Sequence, residues 1–319
     1  MRILVTGAAG FIGSEFLIQL TAEPNYEITV IDSLTYAGRL RNLAEVEHRI
    51  RFEKIDIRNR NKLEELFKDG SFDKVVHFAA ESHVDNSIYN PNIFLETNIF
   101  GTQHLIELSV KYGIAEFLHV STDEVYGSLA SGFAAEDAPF NPASTYSASK
   151  AAAEHLVNAA RHTFKLNIKI VRCSNNYGPR QYPEKLIPFF ISKLKQGENV
   201  TLYGTGENIR EWLHVSDCAA GIKLVLDSKK PNEIYNISSG QFYTNVEVAN
   251  LILSYFGLGQ DKITYVEDRK GHDFRYAISS KKIIDELQWK PKKDFKAGLN
   301  ETINWYLQND WALEKNLGA

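Results

Sequence analysis

The run Gly7-Ala8-Ala9-Gly10-Phe11-Ile12-Gly13 limits what this chain can fold into more than any other stretch. It follows a short apolar run, Ile3-Leu4-Val5, and opens a helical pattern from Phe11 to Leu20. Glycines between a buried strand and a helix permit a tight turn and let the backbone approach a pyrophosphate. The helix N-terminus beyond them offers free N–H groups and the positive end of a dipole. The spacing is G-x-x-G-x-x-G rather than G-x-G-x-x-G, yet its place between strand and helix predicts a dinucleotide turn. Gly7, Gly10, Phe11, Ile12 and Gly13 are its candidate residues.

Further β-branched runs alternate with helical patterns through the first half of the chain. Ile28–Ile31, Arg51–Lys54, Val75–Phe78, Phe117–Val120 and Ile168–Val171 read as strands. Long helical stretches run from about Phe94 to Tyr112 and from about Ser144 to His162. This alternation predicts an α/β fold, a Rossmann-type doubly wound parallel sheet covered on both faces. After Cys173 the chain becomes turn-rich, as in Asn175-Asn176-Tyr177-Gly178-Pro179. We expect a smaller, interleaved C-terminal substrate domain there. The expected division is 1–173 for the dinucleotide-binding part, rejoined by about 215–242, with 174–214 and 243–319 forming the second part.

Asp32 ends the second strand pattern, where a carboxylate can accept hydrogen bonds from an adenosine ribose and repel a 2′-phosphate. This favours NAD over NADP, with Ser33, Leu34 and Thr35 beside it. Asp56 and Ile57 are expected beside the adenine. Phe78, Ala79, Ala80 and Ser82 end the next strand and should pass under the cofactor.

The chemistry concentrates at Ser121-Thr122-Asp123-Glu124-Val125-Tyr126-Gly127, just past a strand end, and at Tyr146-Ser147-Ala148-Ser149-Lys150. Tyr146 and Lys150 are four residues apart and share a helix face. A free tyrosine titrates near ~10. A nearby ammonium is expected to stabilise the phenolate and lower that value. Thr122 supplies a hydroxyl, and Asp123 and Glu124 supply an acid and a base. Together these groups are the parts for moving a hydride and eliminating water in one pocket.

The glycine turn, the Ser-Thr strand end and the Tyr-Lys pair together resemble the extended short-chain dehydrogenase/reductase superfamily. Thr-Asp-Glu-Val-Tyr-Gly matches the signature of the dTDP-glucose 4,6-dehydratases. Further blocks resemble that family in order: 32–42, 79–88, Cys173–Pro179, Gln181–Pro188, Arg210–Leu213 and Gly271–Asp273. The resemblance implies Thr122, Asp123, Glu124, Tyr146 and Lys150 as catalytic residues. It adds Thr97 and Asn176 to the NAD set, which also includes Tyr146 and Lys150. It places Ser82, Thr122, Asn175, Lys185, Leu186 and Pro188 at the sugar nucleotide, with Tyr203, Arg210, Asn245, Arg269 and His272. It implies conversion of dTDP-glucose to a 4-keto-6-deoxy sugar nucleotide with NAD regenerated, no metal, and a homodimer paired through the two long helices.

Departures from the family pattern include Ala8, Asn86, Thr205, Glu211, Lys270, Phe274 and Ser144-Thr145. None removes a catalytic group, but they leave thymine or uracil open as the base. UDP-glucose 4,6-dehydratase and UDP-sugar 4-epimerase are the alternatives, and Asp123-Glu124 argues against an epimerase. A non-catalytic NAD sensor should have lost Tyr146 or Lys150. The formal net charge of −4 and the lack of a long basic tract argue against nucleic acid as a partner. No apolar run is long enough to span a membrane. Cys173 and Cys218 have neither metal-ligand nor redox spacing. With a strand pattern starting at the N-terminus, the expectation is a cytoplasmic protein.

Overall fold

The computed structural model describes residues 1–314. Its strands are β1 (Arg2–Thr6), β2 (Glu27–Asp32), β3 (Ile50–Lys54), β4 (Lys74–His77), β5 (Glu116–Thr122) and β6 (Ile168–Cys173), then β7 (Asn175–Tyr177), β8 (Val200–Tyr203), β9 (Ile209–His214), β10 (Ile234–Ile237), β11 (Phe242–Thr244) and β12 (Ile263–Val266). Seven of them form one sheet in the order β10-β6-β5-β4-β1-β2-β3. Every neighbouring pair in it is parallel. The winding direction therefore reverses between β1 and β4, and sheets of this kind bind ligands outside the carboxyl ends at that reversal. All residues of β5 and β6 are buried, as expected of strands covered on both faces.

The helices are α1 (Phe11–Thr21), α2 (Arg60–Gly70), α3 (Val84–Tyr89), α4 (Pro91–Phe94), α5 (Thr102–Lys111), α6 (Thr145–Phe164), α7 (Leu186–Lys195), α8 (Val215–Asp227), α9 (Asn245–Tyr255), α10 (Lys281–Leu287) and α11 (Phe295–Gln308). On one face of the sheet Phe16, Leu17 and Leu20 of α1 share a core with Cys218, Ile222 and Val225 of α8. On the other, Leu63 and Phe67 of α2 pack with Leu105 and Leu108 of α5 and Val157 of α6. A separate core joins Phe190 and Ile191 of α7, Ile252 of α9 and Leu299 and Ile303 of α11 around Trp212 of β9. There β9 pairs antiparallel with β11 and parallel with β7. No helix among the described residues is long and apolar enough to cross a membrane.

The stretch expected as one helix from Phe94 to Tyr112 is instead interrupted. Leu95–Gly101 forms a wide π turn between α4 and α5. Asn98 explains it. Its amide donates to the Glu81 carbonyl and to Ser149 Oγ at 3.0 and 2.8 Å, and its Oδ1 accepts from the Glu81 N–H at 2.8 Å. A π turn carries one extra residue per turn, which lets a polar side chain face a neighbour.

Candidate active site

Gly7 has φ +72°, and a Cβ there would lie 2.4 Å from the Ala79 nitrogen, so only glycine lets the first turn touch the β4 exit. Ala8, where the family has glycine, is buried and is not among the positive-φ residues, so it fits without strain. α1 starts at Gly10 with no side-chain cap and no acidic residue in its first turn, leaving its end open to an anion. Asp32 Oδ2 accepts from the Ala9 N–H at 3.0 Å and Oδ1 from the Leu34 N–H at 2.8 Å. Burial raises the Asp32 carboxyl, and these two bonds pull it back.

These groups open onto a cleft of about 310 Å³ at the carboxyl ends of the sheet. Every residue expected at the cofactor lines it except Leu34, which packs against the α1–α8 core. Leu34 holds φ +54°, and the Asp32 carboxylate secures its N–H there. Its contribution to this edge is through the backbone. A second cleft of about 480 Å³ contains Asn175, Lys185, Leu186, Tyr203, Arg210, Asn245, Arg269 and His272. Pro188, expected with them, is buried outside its lining. Ser82 and Thr122 line the first cleft. Glu124, Asn175, Asn176 and Lys185 border both clefts. Lys185 Nζ ties them by donating to the Ser82 carbonyl at 2.7 Å.

At this junction stand the candidate catalytic residues. Thr122 ends β5, and its hydroxyl accepts from the Glu124 N–H at 3.3 Å and reaches Asp123 Oδ1 at 3.2 Å. It also faces the Tyr146 phenol and favours its ionised form. Ser144 caps α6 through a capping box with Ser147, setting Tyr146 in the first turn. Lys150 Nζ, one turn on, donates to the Val120 carbonyl at 2.7 Å.

The carboxyls differ in surroundings. Burial pushes Asp123 well above the usual range, and Glu124 and then Glu211 push it further. Glu124 is also raised by burial, but Arg210, Lys185 and Arg269 all pull it down. Of the two, Asp123 is pushed the further above the usual carboxyl range. Tyr146 departs from expectation: its phenol is pushed up by burial and then by Glu124, while the Thr122 hydroxyl lowers it. The Lys150 ammonium is engaged with neutral acceptors. Burial lowers it to about 8.

Arg210 is more deeply engaged than its sequence block suggests. Its guanidinium donates to the carbonyls of Ile209, Phe274 and Asp273 and lies 4.5 Å over the Tyr276 ring. Sequence reasoning missed Tyr276, whose hydroxyl donates to Asp273 Oδ2 at 2.7 Å and reaches Glu124 Oε2 at 3.3 Å. Its signal was adjacency to the Gly271–Asp273 block. It also missed Cys173 and Cys218, whose Sγ atoms meet at 3.4 Å although 45 residues apart. Among the described residues, Ser121 Oγ, Ser174 Oγ, Asp123 Oδ2 and the Oδ1 atoms of Asn175 and Asn176 are buried without a hydrogen-bond partner. All five residues line the first cleft, so it offers the polar groups that a dinucleotide and a sugar would satisfy.

Fold and site define an enzyme of the short-chain dehydrogenase/reductase class, with a dinucleotide cleft meeting a second cleft at a Thr-Asp-Glu-Tyr-Lys group. Comparison with known proteins narrows this. The family described as GDP-mannose 4,6 dehydratase matches residues 4–302. A dTDP-glucose 4,6-dehydratase of Streptomyces antibioticus is 46% identical over 97% of this chain and 93% of its own. That of Streptomyces griseus is 47% identical over 96% of this chain and 94% of its own. The solved dTDP-glucose 4,6-dehydratase of Streptomyces venezuelae, with NAD bound, superposes with a TM-score of 0.95 at 47% identity, covering 98% of this chain and 100% of that one. A UDP-glucose 4-epimerase of Thermotoga maritima shares the fold at 30% identity and a TM-score of 0.90, covering 97% and 99%. The chain belongs to the dTDP-glucose 4,6-dehydratase family.

Proposed function

We propose that this chain binds NAD and converts dTDP-glucose to dTDP-4-keto-6-deoxyglucose. The observation that carries the reading is the Asp123–Glu124 pair with unequal proton affinity at the junction of the clefts. An epimerase of the same fold needs no such pair. When bound, NAD supplies the acceptor for hydride from C4 and the donor of hydride to C6, and its oxidised ring adds a positive charge that favours a phenolate. Tyr146 takes the proton of the C4 hydroxyl. Thr122 has one proton for two neighbours, so it can turn from Asp123 to the tyrosine oxygen as charge develops there. The 4-keto group acidifies C5–H, Glu124 removes that proton, and Asp123 gives its own to the departing C6 hydroxyl. Water leaves, and C5 regains a proton as C6 is reduced, so the net change is loss of one water.

In this reading Gly7, Gly10, Phe11, Ile12 and Gly13 hold the pyrophosphate, Asp32 the adenosine ribose and Lys150 the nicotinamide ribose. Residues 1–173 with 215–242 form the cofactor part, and 174–214 with 243–319 form the sugar-nucleotide part, of which 315–319 lie outside the described residues. The separate core around Trp212 supports that division. The protein acts in the cytoplasm as a homodimer. Tyr89, Leu95 and Phe100, exposed on the run from α3 through the π turn, support pairing.

The test is incubation of purified protein with dTDP-glucose and with UDP-glucose in parallel, read by mass spectrometry. Loss of one water from dTDP-glucose is expected. Loss from UDP-glucose alone would move the substrate, and an isomer without mass change would replace dehydration by epimerisation.

A further inference from the structure

His119 and His77 lie side by side on β5 and β4, buried, with ring centroids 5.3 Å apart. The mechanism above uses neither. The hydrogen bonds fix the protonation of His77. Thr102 Oγ1 gives its one proton to the Asn98 carbonyl at 2.7 Å, so at 2.9 Å from His77 Nε2 it can only accept. Nε2 therefore carries the proton, and Nδ1 accepts from Thr6 Oγ1 at 2.7 Å. His77 is neutral, with burial lowering it to about 3.

The same logic fixes His119. Its Nε2 faces Lys150 Nζ at 3.5 Å, and an ammonium has only donors. Nε2 then holds the lone pair and the proton falls on Nδ1, which is buried without a hydrogen-bond partner among the described residues. Lys150 thus has two neutral acceptors, the Val120 carbonyl and this imidazole. The carboxylate on its own helix, Glu154, is held by three bonds of 3.1, 3.0 and 2.8 Å from Arg172 and is not competing for it. Two of the three ammonium protons are directed inward, and the third is left for the cleft.

We propose that His119 is a positioning residue for the reaction: a neutral acceptor that orients the Lys150 ammonium while leaving its charge undiminished. A carboxylate at that place would orient Lys150 equally well but neutralise it. An apolar residue would leave a long, flexible side chain with one anchor. The inference rests on the proposed roles of Tyr146 and Lys150.

Three variants test it, His119→Leu, His119→Gln and Tyr146→Phe, each checked by thermal melting. Glutamine can place a neutral acceptor near the position of Nε2, whereas leucine cannot. His119→Leu is expected to lower kcat about 10- to 100-fold, as for other displaced catalytic groups. The rise of kcat with pH should move to higher pH, because a loosened ammonium supports the phenolate less. Less NAD should stay with the protein through purification. His119→Gln is expected to restore most of kcat and the pH midpoint. The other groups around Lys150 that can titrate or carry charge are His77, Tyr146, Asp123, Glu124, Cys173 and the Glu154–Arg172 pair. None is altered in the two His119 variants. If folded His119→Leu keeps the parent's kcat and pH midpoint while Tyr146→Phe is inactive, the inference is overturned and the catalytic reading stands. Equal losses in His119→Leu and His119→Gln with an unmoved pH midpoint would also overturn it, leaving a packing role. An active Tyr146→Phe would overturn the catalytic reading itself.

Discussion

Asp123 and Glu124 are neighbours in the chain with opposite proposed duties, and the difference lies in what surrounds each. Two carboxylates and burial face Asp123, whereas cations surround Glu124. A carboxyl raised in the native state holds its proton more tightly there than in the unfolded chain. Between the unfolded value of about 4 and the native one, stability falls as pH rises. Asp123→Asn removes that penalty and keeps the acceptor for Thr122. Its melting temperature is expected to exceed the parent's at neutral pH, with the gain vanishing as pH falls below about 4. Its kcat should fall by about 100-fold or more, the usual cost of a lost general acid. A melting curve no higher than the parent's at neutral pH would mean that Asp123 is ionised in the native enzyme. Glu124→Gln should stop both water loss and deuterium uptake at C5 in heavy water. Deuterium at C5 in that variant would assign the base elsewhere. These identities were legible in Thr-Asp-Glu-Val-Tyr-Gly. Their opposite roles came with the family resemblance, but the environments that separate them were not legible, because Glu211, Arg210 and Arg269 reach the pair from distant parts of the chain.

At the scale of elements, the sequence pattern located most strands to within a residue or two, because their apolar runs are bounded by turns. It failed at Leu95–Gly101, where apolar spacing continues smoothly and only one side chain breaks the helix. Asn98 is 1% exposed and serves the Glu81 N–H, the Glu81 carbonyl and Ser149. Asn98→Leu would strand these buried groups and offers nothing in return. We expect a loss of about 2–4 kcal/mol, from one to three per orphaned polar group with partial relaxation. A shift of the urea midpoint at unchanged slope measures it. A midpoint equal to the parent's would show that the π turn persists without its amide. The Ser144 cap is the opposite case. The Ser-Pro usual before the catalytic tyrosine is replaced by Ser144-Thr145, yet the helix still starts there because the Ser144–Ser147 box satisfies its first N–H groups.

On the scale of the whole molecule, distant segments are tied together. Arg39, next to Gly38 of the first cleft's lining, donates to the carbonyls of Trp311 and Ala312 at 2.9 and 3.2 Å. Such ties span more than 270 residues and leave no trace in local pattern. The same holds for the face proposed to pair. Tyr89 is 87% exposed and Phe100 60%, large apolar groups that a solitary chain gains nothing by showing to water. A stable pair buries on the order of 1,600 Å² in all, an area that side chains of this size help to fill. The parent is expected to sediment as a dimer, and Tyr89→Glu with Phe100→Glu as a folded monomer, since buried like charges would face each other across the axis. A monomeric parent at micromolar concentration would end the dimer reading. The patch also leads into the catalytic helix pair: Phe94, just before Leu95, meets Tyr146 edge-on at 6.4 Å. Separation of the subunits should therefore lower kcat as well as change mass, because the helices that hold Tyr146 lose their backing. A monomeric variant with the parent's kcat would show that each site is held by its own chain alone.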